Sequence, residues 1–321
     1  MSLRALITAV LLAGCAACTS GTPALPPVRT PSSFGPPPTA STTTPVRTAD
    51  SGSSGAAKPG PTKVLTVVEE NHGQSSALQG MPYLASLART YGRTSMYRTV
   101  SHPSLPNYLA MAGGSTFGVS DDASPAWHQV AGPSVFDVAR SRGKTAKTYV
   151  EGMSLSCQTS GAGRYAVKHN PWAYFASASS RSACGQFDVP AGTPAAGPLR
   201  SDVAHGDLPA VGLVIPDLCH DAHDCSLAVA DAWLKGWLPL VLSGPDYRAG
   251  RLAVVVTFDE VEGGGTGSIL TAVIHPSLHH KVVASSLSHL SWCRWMTDLV
   301  GASPLRRAGS AASLGRAFAL S

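Results

Sequence analysis

Beyond residue 62 the chain alternates between short apolar runs and longer amphipathic stretches. Residues 64–68, 211–215, 252–256 and 269–274 are runs of five or six mostly β-branched or aliphatic residues bounded by turn formers. Their length and branching predict strands buried on both faces. Between them, residues 81–91, 134–142 and 226–242 carry helical periodicity, the first two stopped by Gly92 and Gly143. Trp233 and Trp237, spaced i and i+4, belong on the core face of the third. Strands alternating with helices predict an α/β fold of three layers, α/β/α, around a mostly parallel sheet. In such sheets functional groups collect beyond the carboxyl ends of the strands.

The first 62 residues obey neither pattern. Arg4, an apolar stretch over 5–12 and Leu12-Ala13-Gly14-Cys15 predict a lipoprotein signal over 1–18, with Cys15 as the lipidated residue. Residues 19–62 are rich in Pro, Thr, Ser, Gly and Ala, a composition that cannot bury enough surface to offset its ordering entropy. They predict a disordered, extended spacer that holds a catalytic domain over 63–321 away from a membrane. The expected location is therefore the cell envelope, or outside the cell.

Charge narrows the function further. With 24 Lys+Arg against 19 Asp+Glu and 13% charged residues, the net charge of +5 is too dilute for a nucleic-acid partner. A monomer is expected. Five cysteines fall in the domain, and in an exported protein they predict disulfides. We expect Cys157–Cys184 and Cys219–Cys225, leaving Cys293 a buried thiol among Trp292, Trp295 and Met296.

Polar groups mark four places where chemistry would sit. The first strand runs into Glu69-Glu70-Asn71-His72-Gly73, offering oxygen ligands to a cation. Ser104 stands just ahead of a helix expected over 107–112, with Pro106 in its first turn, so its hydroxyl is placed either to cap the helix or to meet a phosphate there. The third strand leads into Asp217 and Asp221-Ala222-His223-Asp224, the fourth ends in Asp259-Glu260, and Ser288-His289-Leu290 opens the last helix. Carboxylates at successive strand ends with nearby histidines are the ligand set of a hydrolase that uses a hard cation or zinc.

Taken in order, Glu69-Glu70-Asn71, His102-Pro103-Ser104-Leu105-Pro106-Asn107-Tyr108, Tyr165-Ala166-Val167-Lys168-His169-Asn170-Pro171-Trp172, Asp221-Ala222-His223-Asp224 and Thr257-Phe258-Asp259-Glu260 resemble the bacterial phosphoesterase family of secreted acid phosphatases and phospholipases C. The resemblance implies an alkaline phosphatase-like fold and a phosphomonoester substrate, with phosphatidylinositol 3-phosphate among the candidates. It implies that Ser104 attacks phosphorus and carries the phosphoryl group, while Glu70, Asn71, Asp259 and Glu260 hold a divalent metal, with Asp221 and His289 as further candidates. One or two ions are expected, one firmly held, of open identity. Asn107 would donate to a phosphate oxygen, Lys168 and His169 would add positive charge, and His169 or His223 would protonate the leaving alkoxide.

Two other functions remain compatible with the same residues: a phospholipase C cleaving phosphodiesters, and a catalytically silent binding lipoprotein. No G-x-S-x-G occurs, which argues against a serine esterase of the α/β-hydrolase type. Gly263-Gly264-Gly265-Thr266-Gly267 lacks the lysine of a phosphate-binding P-loop and reads as a flexible loop, and His279-His280 reads as a solvated turn. Residues 177–207, rich in Ser, Ala, Gly and Pro, are expected to form a substrate-side loop or a disordered insertion.

Overall fold

The computed structural model describes residues 60–265 and 267–320. The expected signal segment with Cys15 and most of the spacer lie outside the described residues. In chain order the elements are β1 (Lys63–Glu69), α1 (Gln74–Gly80), α2 (Pro82–Thr90), β2 (Gly92–Thr94), β3 (Tyr97–Arg98), α3 (Ser104–Gly113), α4 (Val135–Ser141), β4 (Ala146–Val150), α5 (Ala178–Phe187) and β5 (Asp188–Pro190). They continue as α6 (Pro198–His205), β6 (Val211–Ile215), α7 (Leu227–Ser243), α8 (Pro245–Arg248), β7 (Leu252–Phe258), β8 (Thr271–Ile274), β9 (Lys281–Val283), β10 (Leu287–Ser288), α9 (His289–Leu299) and α10 (Leu314–Ala317).

Eight strands form one sheet in the order β5-β4-β6-β1-β7-β8-β2-β9. Only β8 runs against the rest, so the expected mostly parallel sheet is present. The central strands β1, β6 and β7 are buried along nearly their whole length, as their unbroken apolar runs require. Helices α1, α2, α7 and α8 pack together on one face, and α3, α4, α9 and α10 on the other. These are the three expected layers. Trp292 of α9 is buried and its Nε1 donates to Thr66 Oγ1 of β1 at 2.8 Å, which satisfies the one polar group a buried indole carries.

Three local expectations need correction. The third helix begins at Ser104 rather than Asn107, and its cap position is Pro103, so Ser104 is the first helical residue and caps nothing. Pro106 still lies in the first turn, where a missing N–H costs no intrahelical bond. The fourth apolar run pairs as a strand only from Thr271.

Residues 177–207 are neither a loop nor an insertion without structure. They supply α5, the edge strand β5 and α6. Ser177 Oγ accepts from Ser180 N at the start of α5, and the Cys157–Cys184 disulfide fastens that helix to the preceding loop. Buried Asp188 accepts from Thr148 Oγ1 of β4 and from Asn170 Nδ2. Small polar residues give no clear hydrophobic period, so these tertiary bonds do what the sequence pattern does not announce. Cys219 pairs with Cys225, and Cys293 is a buried free thiol in α9.

Helix α2 is capped from outside its own sequence. Asp231 of α7 accepts from Tyr83 N and Leu84 N, both at 2.9 Å, filling the two first-turn donors of α2. Asp231→Ala leaves a buried N–H without a partner, and equilibrium urea denaturation is expected to show a loss of about 2 kcal/mol. A loss within experimental error of zero would mean that water replaces the carboxylate.

Candidate functional site

Consecutive residues of a strand point to opposite faces of a sheet, and this alternation separates the two glutamates at the end of β1. Glu69 faces α7, fully buried, with both carboxylate oxygens lacking a hydrogen-bond partner among the described residues. Burial first, then the neighbouring Asp221, Asp231 and Glu151, raises its pKa well above the ordinary range, which favours a neutral acid. Glu70 turns instead toward α3. Its Oε2 accepts from Ser104 Oγ at 3.0 Å and its Oε1 from Tyr108 OH at 2.8 Å.

The chain then bends at Asn71, which has a φ of 59°, a left-handed conformation that asparagine tolerates. Asn71 N donates to Asp259 Oδ1 at 3.0 Å, and Glu260 N donates to the same oxygen at 2.6 Å. Because β1 and β7 are paired in register up to Glu69 and Phe258, Glu70 and Asp259 must emerge side by side. Asp221 reaches the same place from the loop after β6, its carbonyl accepting from Glu70 N at 2.8 Å. His169 lies between them, Nε2 3.0 Å from Glu70 Oε1 and Nδ1 3.2 Å from Asp221 Oδ2.

The result is a buried excess of negative charge. Burial, reinforced by Asp259 and Asp221, pushes Glu70 well above the ordinary carboxyl range. Burial likewise raises Asp259, moves Asp221 up to about 7, and together with Asp259 moves Glu260 up to about 7. Burial lowers His169 to about 3, so its ring is neutral. Asp259 Oδ2, Asp221 Oδ2 and His169 Nε2 are buried without hydrogen-bond partners among the described residues. Buried carboxylate oxygens without partners and a neutral imidazole nitrogen are groups that fit a divalent cation. Glu70, His169 and His223 already bring ligand atoms within 4.8 Å of one another.

Lys168 is the ammonium closest to this group that the contacts reveal. Burial lowers its pKa, but Asp122, Glu70 and Asp259 more than offset that, so it stays charged. Its Nζ is 3.0 Å from Asp122 Oδ2 and 3.2 Å from His223 Nε2, while His223 Nδ1 is 2.7 Å from Asp224 Oδ1. Asp122 also accepts from Leu105 N at 2.9 Å. The first turn of α3 therefore has one N–H occupied by Asp122 and one position, Pro106, with none. The start of this helix thus offers an anion few free donors.

Three expected residues are partly engaged by other groups of the protein. Asn107 is fully buried, its Oδ1 accepting from Val100 N and Ser101 N and its Nδ2 donating to Ser101 O and Pro103 O. With both amide hydrogens engaged, it braces the loop before Ser104. His289 sits behind the site, Nε2 donating to the backbone carbonyl of Asp259 at 2.5 Å, which takes that nitrogen out of use as a ligand. Glu260 is buried, with Oε2 2.7 Å from His102 Nδ1. A side chain at Gly264, which has a φ of 71°, would lie 3.2 Å from the His102 ring, so the glycine-rich loop closes over that pair.

Asp122 and Tyr108 are the two groups that the sequence did not single out. Tyr108 follows Ser104 by one helical turn, a spacing that signals a shared face. Asp122 lies in a loop with no local mark. A second group, Glu151, Asp217 and His220, also brings ligand atoms within 4.8 Å, but both Glu151 oxygens and Asp217 Oδ1 are already engaged by Trp233 Nε1, His220 Nδ1 and backbone amides.

A model of the Phosphoesterase family matches residues 74–265, more than half of the chain. The chain belongs to the Phosphoesterase family. Family membership makes it a phosphoric ester hydrolase. It is 28% identical over 243 residues to the phosphatidylinositol-3-phosphatase of Mycobacterium tuberculosis, covering 74% of this chain and 76% of that protein. It is 30% identical over 184 residues to a phosphate-repressible acid phosphatase of Penicillium chrysogenum, covering 55% of this chain and 43% of the fungal one. This Phosphoesterase family member shares its fold with an alkaline phosphatase superfamily protein of Vibrio parahaemolyticus (TM-score 0.50, 12% identity, 76% of this chain and 67% of that one). It shares it also with a lipoteichoic acid synthase of Listeria monocytogenes (TM-score 0.51, 10% identity, 76% and 73%).

The raised carboxyls carry a consequence for stability. A carboxyl whose folded pKa lies above its unfolded value binds more protons when folded, so stability falls as pH rises from its ordinary value, 3.8 or 4.5, through the folded one, about 7 for Asp221 and Glu260. Chelator-treated protein is expected to melt at a lower temperature at pH 8 than at pH 5.5, and a divalent cation should raise the melting temperature more at pH 8. Differential scanning calorimetry at both pH values checks this. A melting temperature that rises with pH in the chelated sample would contradict it.

Proposed function

We propose that the protein is an exported, metal-dependent phosphomonoesterase of acid phosphatase type, with Ser104 as nucleophile and a phosphoinositide among its substrates. The observation that carries the reading is the 3.0 Å hydrogen bond from Ser104 Oγ to Glu70 Oε2 at the edge of the buried carboxylate group. Glu70, Asp259, Asp221 and His169 would hold a divalent cation, which when bound lowers the pKa of a hydroxyl and neutralises phosphate oxygens. Asn71, whose side chain makes no hydrogen bond among the described residues, is available as a further oxygen ligand.

The chain's own groups divide the remaining work. The hydroxyl proton of Ser104 is directed at Glu70 Oε2 as Oγ forms its bond to phosphorus and the P–O bond to the leaving group breaks. Lys168 supplies positive charge to the non-bridging oxygens, held in place by Asp122. His169 is neutral because it is buried and is ill suited to donate a proton. His223 Nε2 accepts from the Lys168 ammonium at 3.2 Å, so His223 would protonate the leaving alkoxide only after taking up a proton from solvent and releasing Lys168. Water then removes the phosphoryl group from Ser104.

Export is supported by the two disulfides and by the signal-like sequence ending at Cys15. Among the described residues no helix is long and apolar enough to cross a membrane, so attachment would rest on lipid at Cys15. A phosphoinositide substrate is supported by the likeness to the mycobacterial phosphatidylinositol-3-phosphatase.

Hydrolysis of p-nitrophenyl phosphate by the full-length protein tests the reading. Ser104→Ala and chelation are each expected to lower kcat by about 10³-fold or more, with activity restored to the chelated wild type by added divalent cation. Full activity in Ser104→Ala would exclude the serine. Turnover of bis(p-nitrophenyl) phosphate in preference to the monoester would point to a phosphodiesterase, and no turnover of either to a binding role.

A further inference from the structure

A cavity of about 510 Å³ opens where the two-stranded sheet of β3 and β10 meets the start of α9. None of its lining residues belongs to the group around Glu70 and Ser104. Ser288 and Arg98 are register partners in the parallel pair, so they lie side by side as the chain turns into α9. Arg98 lines the cavity together with Arg307, which stands in the helical turn 306–310 between α9 and α10. Ser286, Ser288, Ser291 and Ser310 add hydroxyls, and no aspartate or glutamate lines the wall.

Neither guanidinium has a side-chain hydrogen bond or a carboxylate within 4.0 Å among the described residues, where the ion-paired arginines are Arg164, Arg251, Arg294 and Arg316. The adjacent Arg306 shows the contrast: its NH1 donates to Gly113 O and Pro133 O and its NH2 to Ala131 O, which ties three segments together. Arg98 and Arg307 do no such work. Two like charges on one cavity wall repel each other, and an anion between them relieves the repulsion. Their planar forks and the serine hydroxyls are the donors that suit phosphate oxygens. Leu290 and Ser291, in the first turn of the eleven-residue α9, line the same wall, so the positive end of its dipole adds to two full charges.

We propose that this cavity is a second anion site, which binds a phosphate group between Arg98 and Arg307, apart from the reaction at Ser104. The inference does not depend on the phosphomonoesterase reading. The phosphate arrives either as the free ion or on a lipid headgroup. Thr99 and Val100 also line the cavity, and Val100 N donates to Asn107 Oδ1, so the bound anion rests against the segment that leads to Ser104.

Isothermal titration calorimetry on the full-length protein tests the site, with chelator present to remove the cation that would draw phosphate to Ser104. The wild type is expected to bind inorganic phosphate, and the double variant Arg98→Gln/Arg307→Gln to bind it about 10-fold or more weakly. Both side chains are exposed, so the variant should keep the wild-type melting temperature in phosphate-free buffer. Arg89→Gln/Arg142→Gln removes the same charge from two exposed arginines outside the cavity and should bind within about twofold of the wild type. Amide hydrogen exchange should slow on phosphate addition in peptides spanning 97–101 and 286–291, except in the Arg98 and Arg307 variant. Short-chain phosphatidylglycerol below its micellar concentration separates the sources. Tighter binding than inorganic phosphate, lost in the same variant, assigns the site to a headgroup, and weaker binding assigns it to the free ion. No binding of either by the wild type, undiminished binding by the Arg98 and Arg307 variant, or an equal loss in the control pair would overturn the site.

Discussion

Carboxylates repel one another and lose hydration on burial, yet β1 and β7 are paired so that Glu70 and Asp259 leave the sheet side by side, and the loop after β6 adds Asp221. Two partly compensating devices are visible. Backbone N–H groups of Asn71 and Glu260 converge on one oxygen of Asp259, and Ser104 and Tyr108 converge on Glu70. The devices leave Asp259 Oδ2 and Asp221 Oδ2 without partners among the described residues, a buried excess of negative charge that suits a cation.

The surrounding structure serves that arrangement. Asn107 ties the loop 100–103 to α3, and Asp122 ties the next loop to the same helix and to Lys168. Ser104 is therefore fixed from both flanks of the helix start. His289 supports the carbonyl of Asp259 from behind, and burial keeps that imidazole neutral, with its pKa lowered to about 4. Glu70, Asp259 and Ser104 thereby stand at two strand ends and a helix start, which move less than free loops.

Outside the centre, the second layer of order comes from long-range polar bonds in regions of weak hydrophobic pattern. Asp188 joins β5 to β4 and to the Asn170 turn, and Asp231 caps α2 from α7. The segment 177–207 shows the effect most plainly, because its short helices carry little apolar periodicity and are held by a disulfide and a buried carboxylate.

Much of the molecule was legible in the residues alone. The apolar runs announced β1, β6 and β7 because strands buried on both faces must be apolar throughout. Ser104 was marked by its Pro-Asn sequel, and the acids at strand ends by contrast with the runs before them. Which glutamate enters the site was decided by strand alternation once α3 and α9 took one face and α7 the other. That Asn107 braces a loop, that Asp122 holds Lys168, and that His289 meets a carbonyl depend on partners at 2.5 to 3.3 Å contributed by distant segments or by a tight local fold. A sequence records which donors and acceptors exist. Only the packed fold determines which of them are already spent on one another, because a hydrogen bond depends on distances of a few tenths of an ångström that no local pattern encodes.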